Sequence, residues 1–161
     1  MPARDLALLT EAAQEAGEIA LRFWRADPRV WDKGGNDPVS EADIAVDRHL
    51  RERLLAARPD YGWISEETED DPARFGAEKV FIVDPIDGTR SFVKGEATWA
   101  HSLAVAERGR VVAGVVFLPA RDKLYSAHAG GGATLNAVAL KASCRSEIDG
   151  ADVLGPRVTF N

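Results

Sequence analysis

The chain has 161 residues, 45% of them apolar and 29% charged, with a net charge of −6 at neutral pH. That suits one domain with a real core, and the acidic balance excludes general nucleic-acid binding but not a phosphorylated substrate, because bound cations invert a local field. A single cysteine, Cys144, excludes an internal disulfide and fits a reducing, cytoplasmic setting, while no apolar run approaches the roughly 18 residues needed to span a bilayer.

Residues 4–25 predict an amphipathic helix. Leu8, Leu9, Ala12, Ala13, Ala16, Ile19, Ala20 and Phe23 keep helical spacing, with Glu11, Glu15, Glu18 and Arg22 turned outward. Those acids, with Asp5, rule out a signal peptide. Asp27-Pro28 ends the helix, and residues 31–39 read as a loop dense in turn formers. Ser40 reads as an N-cap, with Asp43 as its capping-box carboxylate, on a helix that stops near Ala57. Gly62-Trp-Ile-Ser65 predicts a short strand, 66–76 an acidic irregular segment, and 79–83 a buried strand. A short helix near 89–94 follows. Residues 102–107, 111–118 and 123–128 then alternate like strands, separated by turns, which predicts an antiparallel meander. Gly130-Gly-Gly132 reads as a turn, and 151–154 as a further strand. The order predicts an α+β fold, with two antiparallel helices, about residues 5–25 and 41–57, packed on one face of a mainly antiparallel sheet.

The chemistry concentrates in Val83-Asp84-Pro85-Ile86-Asp87-Gly88-Thr89. Pro85 bends the strand end and removes a backbone donor, which brings Asp84 and Asp87 to one place. Two carboxylates held together repel and call for a cation, and a hard cation takes their oxygens and the Ile86 carbonyl. The Gly88 and Thr89 amides, at a helix start, face an anion. The plainer reading is a turn, since Asp, Pro and Gly all form turns. Glu66 and Glu67 end a strand as Asp84 does and can join the same site, or can belong to a solvated acidic loop. Asp43 can cap its helix, or can accept from the Thr89 hydroxyl and orient a water, though nothing in the sequence brings those two together. Lys33 and Arg90 can neutralise phosphate or serve as surface charges. His49, His101 and His128 lack metal-ligand spacing and read as structural or solvated, Ser102 lacks a triad, and Trp24, Trp31, Trp63 and Trp99 read as packing residues.

These pieces, in this order, resemble the inositol monophosphatase family of metal-dependent, often lithium-inhibited phosphomonoesterases. The matching segments are Asp37-Pro-Val-Ser-Glu-Ala-Asp43, Ile64-Ser-Glu-Glu-Thr68, Val83 to Thr89, and the meander from Val112 to Asn136. The resemblance implies two or three Mg²⁺ ions per site. Glu66, Asp84 and the Ile86 carbonyl would hold the first, and Asp84 with Asp87 the second. Asp43, Glu67 and Thr89 would surround the nucleophilic water as catalytic residues, and the Gly88 and Thr89 amides would bind substrate phosphate. It further implies a small phosphorylated substrate, a homodimer when intact, and neither nucleic acid nor membrane as partner. Arg90-Ser91-Phe92 stands where inositol monophosphatases commonly have Thr-Asn-Phe. That leaves an inositol monophosphate, a 3′-phosphoadenosine 5′-phosphate-like bisphosphate nucleotide and histidinol phosphate as alternative substrates. The family's C-terminal α/β domain, which carries a further metal ligand, is not in this sequence. Residues 1–142 are therefore expected to form an N-terminal metal-binding α+β domain, and 143–161 a linker and first strand of that otherwise absent domain. A chain so constituted is also open to a non-catalytic role, binding phosphate or nucleotide.

Overall fold

A computed structural model of the chain describes residues 2–35 and 38–152. Within them the elements run α1 (Pro2–Phe23), β1 (Val30–Asp32), β2 (Pro38–Ser40), α2 (Glu41–Ala57), β3 (Gly62–Ser65), β4 (Lys79–Asp87), α3 (Thr89–Val93), β5 (Ala100–Glu107), β6 (Arg110–Leu118), β7 (Lys123–His128), β8 (Gly132–Leu135) and β9 (Val138–Leu140). The fold is α+β, with α1 and α2 on one face of a mainly antiparallel sheet, as the order of elements predicts.

The helices form where apolar residues recur at three- and four-residue intervals. In α1 the buried stripe is Leu8, Leu9, Ala12, Ala13, Ala16 and Ala20; in α2 it is Ala42, Val46, Leu50 and Leu54. Contacts of Asp5 with Arg58, Glu11 with Arg53 and Glu15 with His49 run in opposite chain directions, so the pair is antiparallel. The small residues of α1 allow close approach to the sheet. At Gly17 a Cβ would fall 2.6 Å from Phe117 Cε1, so a larger residue would push the helix away. Phe81, Val83, Leu103, Val105, Ala113 and Val115 complete the core from the sheet side. Each fully buried large apolar side chain there contributes roughly 1.5–3 kcal/mol.

Seven strands pair in the order β3-β4-β5-β6-β7-β8-β9. Only β3 with β4 is parallel among these pairs. Side chains alternate faces along each strand, so the register defines what the other face shows. One row across the sheet is Ile64, Ile82, Ala104, Gly114, Ala127, Ala133 and Leu140. No helix among the described residues covers that apolar row.

The site is prepared by an irregularity in this sheet. Asp84 pairs with Ser102 and Asp87 with Ala100, so β4 advances three residues while β5 advances two. The extra residue is a β-bulge, placed where Pro85 has no N–H for the ladder. His101, between the two partners on β5, supplies a replacement donor: its Nδ1 hydrogen-bonds the Pro85 carbonyl. A carbonyl only accepts, so Nδ1 carries the proton. Burial pushes the imidazole pKa down to about 4 and keeps it neutral.

Several local expectations change. Residues 31–39, read as a loop, contribute to a small antiparallel pair in which Trp31 lies opposite Val39. Trp31 is 46% exposed rather than packed. The strand expected to end at Val83 continues to Asp87. The glycine turn at 130–132 opens into β8 and β9, strands too short to show alternation. Between Lys141 and Asp152 there is no helix or strand. The remainder of the expected strand at 151–154, with Val153, Leu154 and Phe160, lies outside the described residues.

Candidate active site

Four chain segments meet at the β4 bulge. Ile86 is buried, 1% exposed, and anchors the bend in the core. Gly88 follows with φ +88°, and a Cβ there would meet the Thr98 carbonyl oxygen at 2.9 Å, so only glycine makes this connection without strain. α3 starts at once, its first turn fixed by Ser91 N and Phe92 N donating to Gly88 O at 2.8 and 3.0 Å. Phe92, 1% exposed, pins the helix from below by an edge-on contact with Trp99. At the other end, Trp24 Nε1 donates to Glu96 O at 3.2 Å, so the end of α1 fastens the loop after α3.

Glu66, Asp84, Ile86, Asp87, Gly88 and Thr89, with Pro38, Arg90 and Ser91, line a cavity of about 250 Å³. A larger groove of about 500 Å³, between α2 and the start of β3, gathers no comparable carboxylate set. Asp84 is the most perturbed acid of the cluster. Burial, and then the charges of Glu66 and Asp87, raise its carboxyl pKa to about 7. Its Oδ1 is buried without a hydrogen-bond partner. Asp43, 1% exposed on α2, lies against the same centre and adds to the repulsion. The structure brings Asp43 to Thr89 across 46 residues of sequence: Thr89 Oγ1 is 3.1 Å from Asp43 Oδ1 and 3.0 Å from Ile86 O. The hydroxyl has one hydrogen, so it donates to one of these acceptors at a time. The other carboxylate oxygen of Asp43 accepts from Ser40 N at 2.8 Å and from Ser40 Oγ. Burial raises the Asp43 pKa despite these bonds.

Glu67 sits beside this group. Its side chain is 5% exposed, and Oε2 lies 2.6 Å from Lys33 Nζ, which also donates to the Glu66 carbonyl at 3.3 Å. Burial raises the Glu67 pKa; the Lys33 ammonium opposes that, and the Asp43 and Glu66 charges add to it. Lys33 thus has a specific place that sequence reasoning left undecided, between phosphate neutraliser and surface charge. Two further polar side chains were given no role by that reasoning, Asp47 on α2 and Thr68 after β3, whose hydroxyl donates to Asp47 Oδ2 at 2.6 Å. The hydroxyl-rich spacing Ser65-x-x-Thr68 around the paired glutamates was the available signal.

The donor set is all oxygen, as a hard divalent cation requires, and the orphaned Asp84 Oδ1 is a buried carboxyl oxygen without a hydrogen-bond partner. Among the described residues, no three His, Cys, Asp or Glu side chains close into a ready coordination sphere. The fit to a cation therefore rests on chemistry and the unsatisfied oxygen, not on a preformed cage. No helix among the described residues is long and apolar enough to cross a membrane.

A model of the inositol monophosphatase family matches residues 2–156. The chain is 44% identical over 148 residues to Inositol-1-monophosphatase of Rhizobium meliloti, an alignment covering 91% of this chain and 55% of that protein. It is 34% identical over 151 residues to Histidinol-phosphatase of Chlorobaculum parvum, covering 93% of this chain and 58% of that one. The crystal structure of extragenic suppressor protein suhB from Bartonella henselae superposes with a TM-score of 0.83 at 34% identity, over 88% of this chain and 55% of that one. The chain spans about half the length of the curated relatives it matches.

Proposed function

This chain belongs to the inositol monophosphatase family, and from that premise we propose that its acidic cluster is the metal-binding part of a Mg²⁺-dependent phosphomonoesterase acting on a small phosphorylated metabolite. The observation that carries the reading is Asp84: a half-buried carboxyl among other carboxylates, with its pKa raised to about 7 and one oxygen, Oδ1, buried without a hydrogen-bond partner. Such a group is costly by itself and favourable once a cation binds.

In this reading Glu66, Asp84 and the Ile86 carbonyl hold one ion, Asp84 and Asp87 a second, with two or three ions in all. Mg²⁺ bound there supplies Lewis-acid polarisation of the phosphate and acidifies a bound water. The protein's own groups do the rest. The Gly88 and Thr89 amides orient a phosphate oxygen. Thr89, donating its one hydrogen to Asp43 Oδ1, keeps oxygen lone pairs available to accept from the attacking water. Glu67, held in place by Lys33, is the second carboxylate beside that water. Residues 1–142 form this metal-binding unit in the same reading.

The substrate proposal follows the relatives. The one named Inositol-1-monophosphatase favours an inositol monophosphate, and the one named Histidinol-phosphatase keeps histidinol phosphate as the alternative, beside the bisphosphate nucleotide. Lithium inhibition, a homodimer and a cytoplasmic location belong to the same proposal. The test is phosphate release from inositol 1-phosphate, histidinol phosphate and 3′-phosphoadenosine 5′-phosphate, with Mg²⁺ and with chelator. Mg²⁺-dependent release from one of them supports the reading. A second reading is a phosphate-binding module without turnover, built on the same carboxylates and helix-start residues around the cavity of about 250 Å³. Mg²⁺-dependent phosphate binding without release from any of the three would select it.

A further inference from the structure

One side chain of α2 reaches the acidic site without lining it. Asp47 stands four residues, about one helical turn, after Asp43 and is buried, 7% exposed. A buried carboxylate must be compensated, and among the described contacts of Asp47 the partners are two hydroxyls. Ser65 Oγ donates to its Oδ1 and Thr68 Oγ1 donates to its Oδ2 at 2.6 Å. The Ser65 oxygen in turn accepts from Glu67 N at 3.3 Å. Glu66 N, by contrast, is held by the sheet, through Val83 O at 3.3 Å. The four residues from Ser65 to Thr68 are thus clamped at both ends by the two oxygens of one carboxylate, with Glu66 and Glu67 between the clamps.

We propose that Asp47 is a positioning residue for the site: it holds the Ser65–Thr68 turn so that Glu66 and Glu67 face the Asp84 centre. This rests on the metal reading given above for what the turn is for, but not for the clamp itself. α2 then acts on the site twice. Asp43 reaches Thr89 after the β4 bulge, and one turn later Asp47 reaches the turn after β3. Two loops that arrive separately in sequence are thereby set against one rigid helix. Each residue between the clamps carries a carboxylate, and like charges oppose their approach to the centre: Asp43 and Glu66 act on Glu67, and Glu66 and Asp84 act on each other. A turn tied only by backbone would swing them outward. Asp47 opposes that motion from outside the cavity, which it does not line.

The test uses the whole chain with Asp47→Ala, Asp47→Asn and the near-isosteric Thr68→Val, each measured below its melting temperature. Amide hydrogen exchange of residues 66–68 is read without metal, and Mn²⁺ affinity is read by electron paramagnetic resonance. Asp47→Ala is expected to accelerate exchange at Glu67 and Thr68 while Phe92 stays protected. It is also expected to weaken Mn²⁺ binding by about 10–100-fold, the usual effect of losing a group that orients a ligand. Thr68→Val should produce a smaller change of the same kind, and Asp47→Asn, which keeps one accepting oxygen, should fall between wild type and alanine. Adding Thr68→Val to Asp47→Ala should change nothing more, because the clamp is already lost. A folded Asp47→Ala with wild-type exchange at 66–68 overturns the proposal. So does wild-type Mn²⁺ affinity in a variant whose turn has loosened. A wild-type chain that takes up no Mn²⁺ overturns the metal reading instead, and with it the purpose assigned to the clamp, while the exchange measurement still decides whether the clamp exists.

Discussion

Asp84 is a side chain that is unfavourable for the fold by itself and, in the proposed metal reading, central to the site. Its carboxyl titrates at about 7 in the folded protein against an ordinary 3.8. Between those values the native state binds more proton than the unfolded state, so the metal-free protein loses stability as pH rises from about 4 to about 7. Asp84→Asn removes that slope. Thermal unfolding of the metal-free proteins should find the variant equal to wild type near pH 4 and more stable at pH 8, by about 3 °C or more. A variant less stable than wild type at pH 8 would show that the carboxylate is already compensated. Thr89 behaves differently, because it contributes a neutral hydroxyl, set between Asp43 Oδ1 and the Ile86 carbonyl, rather than a charge. Thr89→Ala should leave Mg²⁺ binding largely intact and lower turnover by about 10²–10⁴-fold, the typical cost of losing a proton-positioning group; full turnover would remove the Asp43–Thr89 pair from the mechanism. Much of the site's layout was legible in sequence: Asp84, Asp87, Gly88 and Thr89 stand within six residues of one another and line one cavity, although residue types alone fit an ordinary turn as well. The Asp43–Thr89 bond was not legible, because only the packing of α2 on β4 brings the partners together. Asp47 was hidden for the same reason: on a helix it looks like any solvated acid until the turn after β3 folds onto it.

At the scale of elements, the site depends on how β4 passes into α3. The bulge, the His101–Pro85 bond and the positive φ of Gly88 turn the chain within a few residues. Gly88→Ala forces a Cβ against the Thr98 carbonyl oxygen, a backbone atom that cannot move aside cheaply. A loss of about 1–3 kcal/mol is expected from strain of this kind, read from denaturant unfolding, with phosphate binding lost more severely than stability. Unchanged stability would mean that α3 can shift to make room. The helices were legible because α1 and α2 keep an apolar stripe through their full length. The β5–β7 meander was legible from alternation and turn residues. β8 and β9 were not, since strands of four and three residues carry almost no periodic signal; they form because β7 offers an edge to pair with.

Across the whole molecule the two faces of the sheet are unequal. One is sealed by α1 and α2; the other presents the row from Ile64 to Leu140, with Ile82, Val116 and Val138 at 39%, 39% and 70% exposure. Apolar faces of this extent normally meet another surface, and we propose that further polypeptide of a longer protein covers this one. The isolated chain should then self-associate in light scattering at micromolar concentration, and Ile82→Lys combined with Val116→Lys should return it to a monomer. A monomeric wild type would show that the face tolerates water. The account's central claim is that the carboxylates around Asp84 form a cation site, and calorimetric titration with Mg²⁺ at neutral pH, in two buffers of different ionisation enthalpy, tests it most directly. Binding should displace the proton that Asp84 holds at a pKa of about 7, so the measured heat should depend on the buffer, and Asp84→Asn should abolish both the binding and that dependence. Absence of Mg²⁺ binding by the wild-type chain, or equal binding by Asp84→Asn, would contradict it.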